Sequence, residues 1–185
     1  MAVGVISIQG DFEKHLLSLS RLGVEAKEVR TVEDLPGVNR IIIPGGESTT
    51  VGMLMQRFGL GEAIQEHVEK GMPIWGTCMG MILLAKEVVG RQQYTLDLLD
   101  ITVERNAFGA QVHSFEDELD VVGMDHSVTA VFIRAPVVTA FGPEVKPIAT
   151  YEGKIVAVQQ GNRVGTSFHP ELTDSTVFHE WFCRL

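Results

Sequence analysis

The segment "PIWGTCMGMILL" holds a cysteine between two glycines. Gly76 and Gly80 each lie two residues from Cys78, which gives the spacing Gly-x-Cys-x-Gly. This spacing is typical of a sharp strand-to-helix corner, where the nucleophile is strained and its neighbours have no room for side chains. The pattern predicts that Cys78 is a nucleophile preceding a helix over "MGMILLAKEVVG". The alternative is a small buried core residue, which is common for a free cysteine.

A cysteine at such a corner is activated by its surroundings. Unpaired amide hydrogens and the helix dipole at a helix N-terminus stabilise the thiolate. The backbone amide of Met79, the next residue, points to where a tetrahedral oxyanion would form. The sequence therefore predicts an acyl-transfer site, provided that a proton acceptor lies nearby.

The segment "TSFHPEL" supplies that acceptor and a group to orient it. Residues 164–168 are predicted to form a strand with His169 at its carboxyl end, the sheet edge at which Cys78 should emerge. Glu171 can hold the imidazole in the tautomer whose other nitrogen faces the thiol. A lone histidine usually has a structural role, but the upstream cysteine favours catalysis. The order Cys, His, Glu is typical of nucleophile-first α/β enzymes.

A third segment, "IIIPGGESTT", follows a buried strand with two glycines. It lacks the lysine of a phosphate-binding loop, so nucleotide binding has little support. Exposed backbone amides at a glycine pair suit a second oxyanion donor or a carboxylate contact. The alternative is a plain strand–helix turn with Ser48 as the N-cap.

The elements that must position these residues alternate between strand and helix in the first half. Apolar strands are predicted in "VGVISI", "VEAKEV", "RIIIPGG" and "MPIWGTC", and helices in "DFEKHLLSLSRLG" and "GLGEAIQEHVEKG". Strands that are hydrophobic throughout, separated by helices, indicate a parallel sheet covered on both faces.

The second half is rich in strands, with alternation in "ITVERN", "QVHSFEDELDV" and "TAVFIRAP". Residues 146–171 are predicted to form hairpins with turns at "EG" and "GN". A final amphipathic helix, "STVFHEWFCRL", is predicted to bury Val177, Trp181 and Phe182, with Cys183 in the core. The remaining histidines show no metal-ligand spacing: His15, His67, His113, His126 and His179.

The chain has 185 residues and a formal net charge of −9, which argues against nucleic acid as a partner. No apolar run approaches the ~20 residues of a membrane span, so no membrane partner is expected. Two cysteines without Cys/His clustering favour free thiols over a disulfide or zinc site. We expect a cytoplasmic protein.

The set "PGGEST", "GTCMG" and "FHPEL" resembles class I (triad) glutamine amidotransferases. "ERNAFG" and "FIRAP" narrow the resemblance to the PdxT family, the glutaminase subunits of pyridoxal 5′-phosphate synthase. "ISIQGDFEKH" is similar to that family's opening strand and helix, so the match covers nearly the whole chain. The resemblance implies a single α/β domain over residues 1–185. The implied fold is a three-layer flavodoxin-like sandwich with a mostly parallel central sheet and an antiparallel strand addition.

The resemblance also implies an activity, the hydrolysis of L-glutamine to L-glutamate and ammonia, with no cofactor and no metal. By position, Cys78, His169 and Glu171 form the triad. The positions that match the family's glutamine contacts are Gly46, Glu47, Ser48, Arg105, Ile133 and Arg134. On composition alone, the two arginines would be surface salt-bridge partners. Gly46 and Met79 match the oxyanion hole.

The implied partner is the (β/α)8-barrel subunit of pyridoxal 5′-phosphate synthase, in a hetero-oligomer. Residues 9–15 are a candidate docking surface. Two positions depart from the family pattern, since Met79 replaces a more usual alanine and Ala110 a usual arginine. Three rivals remain: a glutaminase for another acceptor, of the imidazole glycerol phosphate synthase type; a stand-alone cysteine hydrolase; and a catalytically silent partner protein.

Overall fold

The computed structural model describes residues 2–108 and 114–185. The helices are α1 (Phe12–Arg21), α2 (Ser48–Arg57), α3 (Leu60–Glu69), α4 (Met79–Leu84) and α5 (Val177–Cys183). The strands are β1 (Ala2–Ile6), β2 (Ala26–Val29), β3 (Val38–Ile43), β4 (Ile74–Thr77), β5 (Ala85–Val88), β6 (Leu99–Glu104), β7 (Phe115–Leu119), β8 (Val128–Phe132), β9 (Val137–Phe141), β10 (Lys146–Tyr151), β11 (Lys154–Gln160) and β12 (Arg163–Thr166).

The large sheet has the order β2-β1-β3-β4-β12-β11-β9-β6-β5, with β10 paired to β11. Its first five strands run parallel, in the order of a flavodoxin-like fold. The strands β12, β11, β9 and β6 pair antiparallel in turn, and β6 pairs parallel with β5. The remaining strands, β7 and β8, form a separate antiparallel pair. The predicted parallel sheet with an antiparallel addition is therefore confirmed.

Helices cover both faces of the parallel strands because alternate residues of each strand point to opposite sides. Ile41 and Ile43 of β3 enter an apolar cluster with α2, α3 and α4. Ile42 enters a second cluster, together with Leu19 of α1 and Phe178 of α5. The fold is thus the expected three-layer sandwich. Among the described residues, no helix combines the length and the apolar character needed to cross a membrane.

The helix after Cys78 is shorter than the sequence predicts. It ends at Leu84, and the following residues Ala85–Val88 form β5 instead of a continuing helix. Parallel pairing with β6, in which Ala85 lies opposite Leu99, overrides the modest helical preference of this segment.

The inner face of α5 also differs from the prediction. Val177 and Trp181 are only partly buried, whereas Phe178, His179 and Phe182 are buried. Phe178 stacks on the buried Trp75 of β4, with 4.8 Å between ring centroids, so this side of α5 faces the sheet. Cys183 is half-buried at the edge of the same cluster.

The predicted hairpins of the C-terminal half are confirmed. Glu152 and Gly153 have φ values of 48° and 74° in the turn between β10 and β11, and Gly161 has φ 60° between β11 and β12. Such turns favour positive φ because their twist matches that of the strands. The predicted strand "QVHSFEDELDV" corresponds to β7, but its first residues, and Ala110 and His113, lie outside the described residues.

Candidate active site

Cys78 occupies the corner between β4 and α4. Its φ of 48° and ψ of −102° lie where residues with a Cβ rarely occur. A Cβ on Gly76 would lie 2.3 Å from the carbonyl carbon of Gly80, and a Cβ on Gly80 only 2.1 Å from the carbonyl oxygen of Ile43. The two glycines are therefore required because backbone segments touch on both sides of the corner.

His169 reaches the same edge of the sheet from the neighbouring strand. Thr166 of β12 lies opposite Thr77 of β4, and its carbonyl accepts a 2.7 Å hydrogen bond from the amide of Cys78. Nδ1 of His169 lies 2.7 Å from Oε1 of Glu171, and both side chains are buried. Gly45 makes room for the ring, since a Cβ there would lie 2.3 Å from Cε1 of His169.

The surroundings of His169 favour its protonated form. Burial acts to lower the pKa of His169, but hydrogen bonds to Cys78 and Glu171, together with their charges, outweigh burial and raise it to about 10. The ring is therefore an imidazolium at neutral pH, the charge state that pairs with a thiolate. Sγ of Cys78 also lies 3.8 Å from the carbonyl oxygen of Ile133.

A cavity of about 310 Å³ opens onto Cys78 and His169. It brings together every predicted site residue except Glu171, which is buried behind His169: Gly46, Glu47, Ser48, Cys78, Met79, Arg105, Ile133, Arg134 and His169. Gly46 and Met79, the two predicted oxyanion donors, both line this cavity. Four further residues line the cavity without any sequence signal for substrate contact: Gln9, Asp11, Ile82 and Asn106.

Glu47, and not Ser48, caps the N-terminus of α2. Its carboxylate accepts hydrogen bonds from the amides of Thr49 and Thr50, at 3.0 and 2.8 Å. Burial acts to raise the pKa of Glu47, yet the amide hydrogen bonds of Thr49 and Thr50 dominate and hold it at about 2. Glu47 therefore presents a permanent negative charge to the cavity, 3.8 Å from Nη2 of Arg105.

Gln93 connects two of the predicted substrate contacts. Its Oε1 accepts from the hydroxyl of Ser48 at 3.3 Å and from Nη1 of Arg105 at 3.4 Å. Nothing in the local sequence marks Gln93, because it lies in an irregular segment and approaches the other two residues only through the fold.

One group among the described residues has the composition of a metal site. Ligand atoms of Asp11, His169 and Glu171 all lie within 4.8 Å of one another. However, Nδ1 of His169 already holds Glu171 at 2.7 Å, and the pKa of His169 is raised to about 10, so the ring carries both of its protons at neutral pH. The donor set therefore fits a protonated triad better than a metal ion, which requires a neutral imidazole with a free nitrogen.

A family model described as the SNO glutamine amidotransferase family matches residues 5–185. The chain belongs to this family. Two curated relatives, both named "Pyridoxal 5'-phosphate synthase subunit PdxT", extend the match over its whole length. The relative from Thermosipho africanus is 47% identical, with 100% of this chain and 98% of the relative covered. The relative from Dehalococcoides mccartyi is 50% identical, with 100% and 97% covered.

A solved structure agrees with this membership. A protein described as "Crystal structure of glutamine amidotransferase" superposes with a TM-score of 0.95 at 47% identity, covering 100% of this chain and 98% of the other. The resemblance drawn from "PGGEST", "GTCMG" and "FHPEL" is therefore confirmed at the level of the SNO glutamine amidotransferase family.

Proposed function

We propose that this chain is a glutaminase that hydrolyses L-glutamine and supplies the ammonia to pyridoxal 5′-phosphate synthase. The observation that carries the proposal is the strained Cys78 beside a buried His169–Glu171 pair, open to a cavity of about 310 Å³. A nucleophile, a base and an orienting carboxylate in this arrangement are the requirements of acyl transfer. The full-length relatives named as synthase subunits support the destination of the ammonia.

In the first half of the reaction, the Cys78 thiolate attacks the side-chain amide carbon of glutamine. The amide oxygen becomes an oxyanion, which the backbone amides of Gly46 and Met79 are proposed to stabilise. The imidazolium of His169 then gives its proton to the amide nitrogen, and ammonia leaves as the C–N bond breaks. A γ-glutamyl thioester of Cys78 remains.

In the second half, His169 is neutral after its proton has left with ammonia. It removes a proton from a water molecule, which attacks the thioester carbon, and the C–S bond breaks. Glutamate leaves, and the thiolate and imidazolium are restored. Throughout, Glu171 holds Nδ1 of His169, so that the other nitrogen faces the sulfur and the leaving group.

The rim of the cavity suits the two charges of the glutamine backbone. Glu47 is proposed to accept hydrogen bonds from the ammonium group, whereas Arg105 and Arg134 are proposed to bind the carboxylate. The backbone of Ile133, whose carbonyl oxygen lies 3.8 Å from Sγ of Cys78, and the turn at Gly46 and Ser48 would complete the substrate contacts.

We further propose that residues 1–185 act as a single glutaminase domain in the cytoplasm, without a cofactor. Its partner would be the (β/α)8-barrel synthase subunit, docked against the exposed part of residues 9–15, which excludes the buried His15. Gln9 and Asp11 line the cavity, so a protein bound to this segment would touch both the partner interface and the substrate site. This shared segment supports a mechanism in which docking switches on the glutaminase.

The test is the release of glutamate and ammonia from glutamine, by the chain alone and with the cognate synthase subunit. A Cys78→Ala chain serves as the background control. We expect Cys78-dependent release that requires the synthase subunit. Strong release without that subunit would retain the glutaminase and refute gating by docking. No release in either case would favour the catalytically silent partner protein. Stimulation only by an imidazole glycerol phosphate synthase subunit would mean that the ammonia is supplied to that synthase instead.

A further inference from the structure

Two buried histidines lie directly behind the proposed triad. His15 comes from α1 and His179 from α5, 164 residues apart in sequence, and both are completely shielded from solvent. Trp75 of β4 packs edge-on against both rings, with centroid distances of 5.4 and 5.0 Å. Burying two polar rings costs free energy unless their nitrogens form hydrogen bonds, so we expect these nitrogens to have partners.

The two rings form a chain of contacts that ends at the triad carboxylate. Nε2 of His179 lies 2.9 Å from Nδ1 of His15. Nε2 of His15 lies 3.3 Å from Oγ1 of Thr77 and 3.5 Å from Oε1 of Glu171. That carboxylate oxygen is the same one that holds Nδ1 of His169 at 2.7 Å.

Both buried histidines are neutral at physiological pH. Burial lowers the pKa of His15 well below its ordinary value, and the neighbouring His179 and His169 lower it further. Burial also lowers the pKa of His179 to about 4. Each ring therefore carries a single N–H, and the positions of the two protons decide what the pair does.

The Thr77 hydroxyl near Nε2 of His15 can donate or accept, so Glu171 and Nδ1 of His179 decide between the two arrangements of these protons. A carboxylate accepts hydrogen bonds and cannot donate them, so the nitrogen of His15 that faces Glu171 must carry the proton. Nδ1 of His15 is then an acceptor, and Nε2 of His179 must donate to it. Nδ1 of His179, which has no partner among the described residues, is left as a bare acceptor. The opposite arrangement would bury an unpaired N–H and set a lone pair against the carboxylate.

We propose that His15 is a positioning residue of the triad, its Nε2–H directed at Oε1 of Glu171 and its tautomer fixed by His179. This inference rests on the proposed function, because it concerns the carboxylate that orients His169. Among the described residues, Oε2 of Glu171 has no hydrogen-bond partner. The carboxylate therefore depends on contacts to Oε1 for its orientation, and His15 approaches that oxygen from a different element than His169.

The activity test compares three variants in the complex with the cognate synthase subunit. His15→Leu removes the N–H, His15→Gln restores an amide N–H at a similar reach, and Phe178→Leu perturbs the same core without touching Glu171. We expect His15→Leu to lower kcat for glutamine by about ten- to a hundredfold, the worth of one hydrogen bond to a charged group. KM should stay nearly constant, and His15→Gln should recover most of the activity.

Phe178→Leu should keep its kcat even if thermal unfolding shows an equal loss of stability. Equal kcat values for His15→Leu and Phe178→Leu would overturn the proposal, as would a His15→Gln variant that folds but stays as slow as His15→Leu.

Nitrogen-15 NMR of the wild-type imidazoles gives a second test that requires neither variants nor turnover. We expect both His15 and His179 to carry their proton on Nε2. A proton on Nδ1 of His15, or a doubly protonated ring, would overturn the assignment. If the wild-type complex releases no ammonia, the proposed function fails, while the NMR result still decides whether Nε2 of His15, the nitrogen that faces Glu171 and Thr77, carries the proton.

Discussion

The two halves of the active-site cavity are built in different ways. The buried half consists of Cys78, His169 and Glu171, where the side chains of His169 and Glu171 are 5% and 0% exposed and lie 2.7 Å apart. The rim holds the charged side chains of Glu47 and Arg105, which are 44% and 25% exposed and lie 3.8 Å apart. The reacting groups are thus fixed by close backbone packing, whereas the substrate-binding charges lie at the exposed ends of elements, Glu47 before α2 and Arg105 after β6.

This difference indicates that the buried half serves the chemical step and the rim serves substrate binding. Close approach of Gly76, Gly80 and Gly45 to their neighbours holds the nucleophile and the base before any substrate arrives. Exposed ion pairs contribute little to stability and rearrange at low cost. Changes in the buried half should therefore affect kcat or folding, and changes at the rim should affect KM.

The largest effect is expected for Cys78→Ala. Loss of the nucleophile should lower kcat by about a thousandfold or more, because no other group near the cavity can form the thioester. The thermal unfolding temperature should stay close to that of the wild type. Residual glutamate release above a few per cent in a clean preparation would remove Cys78 from the proposed role.

A smaller but still large effect is expected for Gly76→Ala. Its new Cβ would meet the backbone of Gly80 at 2.3 Å, so the corner must shift. We expect the free energy of unfolding to fall by about 3 kcal/mol, with loss of activity in the folded fraction. Gly23→Ala is the control, since Gly23 has φ 68° but open space around it, and it should cost only about 1 kcal/mol. Equal urea-unfolding curves for the two variants would contradict the packing argument.

A moderate effect is expected for Glu47→Gln at the rim. Loss of the charge that faces the substrate ammonium should raise KM for glutamine about five- to tenfold, with kcat nearly unchanged. Glu62→Gln, at an exposed position of α3 outside the cavity, should leave both constants unaltered. A fall in kcat at unchanged KM would place Glu47 in the chemical step and break the division between rim and buried half.

The smallest effect concerns stability in acid. Glu47 has a pKa of about 2 in the fold, below its ordinary value of 4.5, so the unfolded chain binds more protons between these values. Its stabilising contribution is present above pH 4.5 and is lost as the pH falls toward 2. Because the side chain is partly exposed, we expect less than about 1 kcal/mol. The stability difference between wild type and Glu47→Gln should shrink from about pH 6 to about pH 3, and a constant difference would contradict the capping role.

Local sequence predicted the corner and the strand ends well, because glycine spacing and buried strands are local signals. The limit of prediction from local sequence is shown by the tetrapeptide "AKEV", which occurs twice in the chain. The sequence predicts a strand at Ala26–Val29, which is β2, and a helix at Ala85–Val88, which is the strand β5 instead. Both copies are strands because each pairs with a neighbour, a partner that four residues cannot specify.

The residues behind and beside the triad could not be predicted for a similar reason. His15 and His179 lack ligand spacing along the chain, and they meet only because α1 and α5 pack on the same face of the sheet. Gln93 joins Ser48 and Arg105 from an irregular segment. Such contacts depend on the packing of distant elements, which composition and periodicity do not encode.

The central claim is that the buried half holds His169 as an imidazolium beside Cys78 before substrate binds, and an NMR titration of the His169 ring tests it most directly. In the wild type, we expect the ring to stay protonated from neutral pH up to about 10. In Cys78→Ala, loss of the sulfur partner should lower the pKa of His169 below the wild-type value. A wild-type ring that loses its proton near its ordinary value of 6.5, unchanged by Cys78→Ala, would contradict the account.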